Sequence, residues 1–169
     1  MSQREAILDI LRTAYQIEVD GYTFYSMTAE RADKPAVQEL FAKLAADEVQ
    51  HQAFLKEVAR DVDAKGAAAF ALHRRTPDMR AISEQVFSQR FREQARGATF
   101  EMAVLSVGMT LESRAIAYFS AAAKGASERE VREFYEFLAD WERQHLDALQ
   151  NLHGMVRGDF WAESSFAPF

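Results

Sequence analysis

The chain contains no cysteine. A disulfide framework, a thiolate zinc site, a cysteine nucleophile and any sulfur-held iron centre are therefore excluded. Turn residues are scarce. There are 7 Gly and 3 Pro in 169 residues, where average usage would place roughly 12 and 8. A sandwich or barrel turns about every ten residues, and this chain lacks the residues to do so. Basic charge is also in deficit, with 20 Lys and Arg against 26 Asp and Glu and a net charge of −6. A phosphate-binding surface needs the opposite balance, so no nucleic-acid partner is expected. No apolar run of membrane-spanning length is free of charges, so no membrane role is expected either. The start, Met1 to Glu5, shows no apolar run behind a basic segment, so no signal peptide is read and the expected location is cytoplasmic. The length suits one domain with a real core and is short for two.

What remains is rich in helix-forming residues. Breaks fall at Asp33-Lys34-Pro35, at Gly66 and the stretch to Gly97, at Lys124–Ser127 and at Gly154 and Gly158. They leave four segments, roughly 3–32, 35–64, 98–124 and 127–154, each about 40 Å long as a helix. Pro35 suits a first helical turn, and Ser127 with Glu130 reads as a capping box opening the fourth segment. The joints after the first and third segments are very short, which makes their neighbours antiparallel. A crossover over about 65–97 links the two hairpins, with a short extra helix expected over 78–89. The expected fold is all-α, a ferritin-like antiparallel four-helix bundle over residues 1–158, followed by an aromatic tail over 159–169. That tail carries Phe160, Trp161, Phe166 and Phe169 and is expected to dock on the bundle or on a second subunit, folding back being the simpler choice.

Each segment carries an apolar stripe at helical spacing. The first runs through Ile7, Leu11, Ala14, Glu18, Gly21 (or Tyr22) and Tyr25. The second runs through Val37, Phe41, Leu44, Glu48, His51, Leu55 and Val58. The third has Leu105, Gly108, Glu112, Ala115, Phe119 and Ala122, and the fourth Val131, Tyr135, Leu138, Glu142, His145, Leu149 and Leu152. These stripes are buried faces. Every one is interrupted near its middle by a glutamate.

The interruptions repeat. Glu18 and Glu112 are 94 residues apart, as are Glu48 and Glu142, and His51 and His145. Residues 39–55 laid over 133–149 agree at 7 of 17 positions without a gap. The chain therefore reads as two copies of one helical hairpin, related by a pseudo-two-fold axis. Glutamate and histidine three residues apart share a helix face. The repeat then brings four carboxylates and two imidazoles together at mid-bundle. Bare burial would cost several kcal/mol per carboxylate. Two divalent cations would match the charge. An oxygen and nitrogen set without sulfur suits iron or manganese, and zinc less distinctively. The competing reading of the same residues is a protonated glutamate–histidine network in the core.

Glu18, Glu48-x-x-His51, Glu112 and Glu142-x-x-His145 resemble the ligand set of the ferritin-like superfamily, and the short hairpins are most similar to rubrerythrin. The resemblance covers about residues 5–153. It implies that Glu48 and Glu142 bridge two iron ions, with Glu18 and His51 on one and Glu112 and His145 on the other. It further implies an oxidoreductase that reduces hydrogen peroxide or dioxygen, working in oxidative stress. Two departures stand out. The cysteine-held rubredoxin-type centre of rubrerythrin has no counterpart here, so an external electron donor is implied. Rubrerythrin also has an extra glutamate one turn along its third helix, where this chain has Ala115. The alternatives are ferroxidase and iron storage, or a non-catalytic metal-binding bundle, and the expected assembly is a homodimer.

Around the set, Tyr25 reads either as a hydrogen-bond donor to one of these carboxylates or as core packing. Asp47 reads as an exposed acid, with orientation of a histidine as the alternative. Trp141, at the matching repeat position, reads as packing. His73 and His153 read as surface histidines.

Overall fold

The structure, a computed structural model, describes residues 3–71, 73, 93–94 and 99–163. Four helices account for most of them: α1 (Gln3–Arg31), α2 (Pro35–Lys65), α3 (Thr99–Gly125) and α4 (Arg129–Glu163). A 3-10 turn, Gly66–Ala71, follows α2. No strand occurs among the described residues. The fold is an all-α four-helix bundle, in which α1 packs closely with α2 and α3 with α4.

The ends of α2 follow from local chemistry. Lys34 is extended (φ −101°, ψ 124°), as a residue before proline prefers. Pro35 occupies the first turn, where its missing N–H costs nothing. The free N–H of Ala36 donates to Gln94 Oε1 at 2.9 Å. At the other end Gly66 adopts φ +64°, a conformation that glycine alone enters cheaply.

Two boundaries differ from the sequence expectation. α4 begins at Arg129, and the Glu128 carbonyl accepts the early helical bond from Arg132 N–H at 3.0 Å. Ser127 thus lies one residue ahead of the cap position. α4 also continues through Gly154 and Gly158 to Glu163. Each glycine costs about 1 kcal/mol in a helix. Burial of Leu152 and Val156 on the same face offsets that cost, at about 1.5–3 kcal/mol per large apolar side chain. The expected helix over 78–89, Gly97, Phe166, Phe169 and the side chains of Phe160 and Trp161 lie outside the described residues.

The stripes are the core. Ile7, Leu11, Ala14, Val37, Phe41, Leu44, Leu55, Val58, Leu105, Ala115, Phe119, Val131, Tyr135, Leu138, Leu149 and Leu152 are all buried. In the first stripe Gly21 takes the inner position and Tyr22 faces outward. In the third, Ala123 is buried more fully than Ala122. The apolar core divides into two clusters, one built around Leu11, Leu55, Phe119 and Leu138, the other around Tyr25, Phe41, Leu44 and Leu105. Between them lie the polar residues that interrupt the stripes. The half-buried ion pair Lys34–Glu101, at 3.1 Å, ties the joint of the first hairpin to the start of α3.

Among the described residues no helix is long and apolar enough to cross a membrane.

Candidate metal centre

Glu18, Glu48, His51, Glu112, Glu142 and His145 are all buried, and the bundle brings them to one level. The period of 3.6 residues sets this directly. Each interrupts a buried stripe at a stripe position, so each points inward where an apolar side chain would otherwise sit.

The contacts cross between helices. His51 Nδ1 lies 3.0 Å from Glu18 Oε2, 3.4 Å from Glu48 Oε2 and 3.9 Å from Glu142 Oε1. His145 Nδ1 lies 3.5 Å from Glu48 Oε1, 3.6 Å from Glu112 Oε1 and 3.9 Å from Glu142 Oε2. The two imidazoles stack with centroids 5.2 Å apart. Two groups of converging donor atoms result: Glu48, Glu112, Glu142 and His145 in one, Glu18, Glu48 and His51 in the other. Glu48 belongs to both.

Hydrogen bonds do not satisfy this cluster. Glu18 Oε1, Glu48 Oε2, Glu142 Oε1 and His145 Nδ1 are buried without a hydrogen-bond partner. Buried polar atoms rarely stay unpaired, because each costs about 1–3 kcal/mol. Four such atoms aimed at one space, all of them oxygen or nitrogen, are what a cation site leaves behind when protein atoms alone are counted. The residues fit a metal, and their donor types suit iron, manganese or zinc.

Electrostatics of the protein alone tell the same story. Burial, with Glu48 beside it, pushes the Glu18 carboxyl up to about 8. Burial and the neighbouring charges of Glu18, Glu112 and Glu48 raise Glu142 as well. Burial works against ionisation of Glu112 too, but the His145 imidazole beside it outweighs burial and holds that carboxyl below its usual range. His145 moves upward despite its burial, because Asp47, Glu112 and Glu48 surround it with acceptors. The protein side of the cluster thus holds extra protons, in the manner of crowded carboxylates lacking counter-cations.

The surroundings refine several expectations. Tyr25 is fully buried and donates a hydrogen bond to Glu112 Oε1, so it both packs and supports a carboxylate. Burial and the nearby carboxylates raise its pKa, which keeps the phenol protonated. Gln52 Nε2 donates to the Glu18 carbonyl at 3.2 Å. Asp47 is half-buried rather than exposed, with Oδ2 3.8 Å from His145 Nε2. His73 is also no free surface group. Its Nε2 lies 2.9 Å from Asp61 Oδ2 and its ring meets Phe54 edge-on. His153 is half-buried, 3.3 Å from Ser106 Oγ.

Two glycines make the site possible, and their role was hidden in the sequence. A Cβ at Gly21 would stand 3.0 Å from Glu48 Oε1. A Cβ at Gly108 would stand 3.1 Å from Leu149 Cδ1 and 3.5 Å from the Tyr25 hydroxyl. The available signal is position: Gly21 lies one turn after Glu18 and Gly108 one turn before Glu112.

A four-helix bundle with a buried carboxylate and imidazole cluster between two apolar clusters defines the class, a helical protein with a metal-compatible core. More narrowly, the family model described as Rubrerythrin matches residues 9–153, and the chain belongs to that family. No curated protein and no solved structure matches the chain.

Proposed function

We propose that the chain is a di-iron carboxylate oxidoreductase that reduces hydrogen peroxide or dioxygen with electrons from a separate donor. The observation that carries this reading is the set of four orphaned buried atoms between two donor groups that share Glu48. Glu18, Glu48 and His51 would hold one ion, Glu112, Glu142 and His145 the other, with Glu48 and Glu142 reaching both. Two ferrous ions, becoming ferric, would supply the two electrons that with two protons from water convert hydrogen peroxide to two waters.

The chain's own residues do the rest. The apolar clusters on either side keep bulk water from the cluster. Tyr25 keeps its proton and donates it in a hydrogen bond to Glu112 Oε1, which fixes the orientation of that carboxylate. Gln52 anchors the α1 backbone at Glu18, and Tyr15 in turn lies 3.4 Å from Gln52 Oε1. No cysteine is present to relay electrons, which is why the donor is external in this reading.

Metal analysis comes first. Two metals per chain are expected, and Glu48→Ala or His145→Ala should lose metal; retention of two in either variant would refute the assignment. Stopped-flow oxidation of the anaerobically reduced iron-loaded protein then tests the activity. Oxidation by peroxide much faster than by dioxygen supports a peroxidase. Many irons retained per chain in a large particle would instead indicate storage. Absence of a spectral change with either oxidant would remove the redox reading.

A further inference from the structure

The 94-residue repeat equates Asp47 with Trp141, the residue just before each Glu-x-x-His. In the structure each reaches across to the histidine of the other copy. Asp47, on α2, places Oδ2 3.8 Å from Nε2 of His145 on α4. Trp141, on α4, stacks on the ring of His51 on α2, with centroids 4.1 Å apart and planes 9° from parallel. The contacts are related by the pseudo-two-fold, but their chemistry is not.

A carboxylate behind a metal-binding imidazole accepts its second N–H, fixes the tautomer and makes the ring a better donor. An indole face holds the ring in place and accepts no proton from its edge. Asp47 Oδ2 stands within ion-pair range of His145 Nε2, slightly beyond direct hydrogen-bond length, whereas the carboxylate contacts of His51 seen among the described residues all fall on its Nδ1. Trp141 is itself buried and wedged against Phe54 and Phe137, each at 5.0 Å, so no carboxylate can take its place without a rearrangement.

We propose that the two halves of the centre are unequal: the His145 half binds a divalent cation more tightly than the His51 half, and Asp47 is the positioning residue responsible. This rests on the metal reading given above and adds an order of filling to it.

The test is an anaerobic titration with cobalt(II), followed by visible absorption and by equilibrium dialysis. The wild-type chain should fill in two steps separated by about tenfold or more, on the scale at which such outer carboxylates act. Asp47→Asn keeps the shape and removes the charge. In a His51→Ala background it should weaken cobalt binding by about 10- to 100-fold and shift the cobalt absorption band. In a His145→Ala background it should change neither. Should a histidine variant not fold, Asp47→Asn in the otherwise intact chain gives the same reading, since the two steps should draw together. Two equal steps in the wild-type chain overturn the inference, as does an equal loss in both backgrounds, and the site itself then stands. A wild-type chain that retains no cobalt overturns the metal reading beneath it, and wild-type dialysis alone shows which of the two has failed.

Discussion

Replacing Gly21 by alanine should strengthen α1 and weaken the centre beside it. The added methyl would lie 3.0 Å from Glu48 Oε1 and 3.1 Å from Glu48 Cδ. Such a contact is tighter than nine in ten real ones, so Glu48 must retreat by a few tenths of an ångström. A metal site tolerates about 0.2 Å in its ligand distances. Because Glu48 serves both donor groups, its retreat is felt in both. The affinity for a divalent cation should fall at least about tenfold, or about 1.4 kcal/mol. The metal-free chain should move the other way. Alanine is favoured over glycine inside a helix by about 0.8–1.0 kcal/mol, and a lone carboxylate tip can yield. Equilibrium dialysis measures the first quantity and urea unfolding of the metal-free chain the second. Unchanged affinity would refute the argument. So would a metal-free chain destabilised by more than about 1 kcal/mol, since the methyl would then be colliding with something less yielding than Glu48.

Tyr25→Phe leaves the buried Glu112 Oε1 without its donor and should cost about 1–3 kcal/mol of unfolding free energy in the metal-free chain; a neutral result in urea unfolding would show that the bond is not stabilising. The metal-free chain should lose stability as pH rises. Glu18 is raised from 4.5 to about 8, and Glu142 and His145 are raised too. At Glu18 the folded chain therefore binds more protons than the unfolded chain between about pH 4.5 and pH 8, and stability falls across that window by up to about 1.4 kcal/mol per pH unit, with Glu142 acting in the same sense above its ordinary 4.5 and His145 above its ordinary 6.5. Unfolding curves at both ends of the window test this, and a profile flat or rising with pH would refute it. Adding a divalent cation at a hundred times its Kd should raise the unfolding free energy by about 2.7 kcal/mol and release protons into a weak buffer; binding without proton release would mean that the cluster does not hold the extra protons described.

The fold and the six central residues were legible in the sequence for one reason. Helical burial repeats every 3.6 residues, and a glutamate at a stripe position has nowhere to point but inward. The 94-residue offset then showed which interruptions belong together. Contacts that depend on the crossing of two helices were not legible. Nothing in the local sequence of Asp47 says that it faces His145 across the bundle, and its flank of alanine and glutamate suits a solvent position equally well. Gly21 and Gly108 read as stripe members, whereas their function is the space they leave for Glu48 and for Tyr25. The end of α4 was misread because Gly154 and Gly158 weaken a helix locally, while the burial that sustains it comes from Leu152 and Val156 against the other helices.

The short joints at 32–34 and 126–128 have a consequence for how the chain folds. Partners within a hairpin are near in sequence, as with His51 and Glu18, 33 residues apart. Partners across the seam are far apart, as with Tyr25 and Glu112, separated by 87. Near contacts close small loops and form early; distant ones must wait for the long crossover to be spanned. Each hairpin can therefore assemble while its own glutamates and histidine still face water. The charged cluster is brought out of solvent only when the two finished halves meet. That last step is the one that crowded carboxylates resist, so in the metal-free chain the weakest seam lies between the hairpins rather than within either of them.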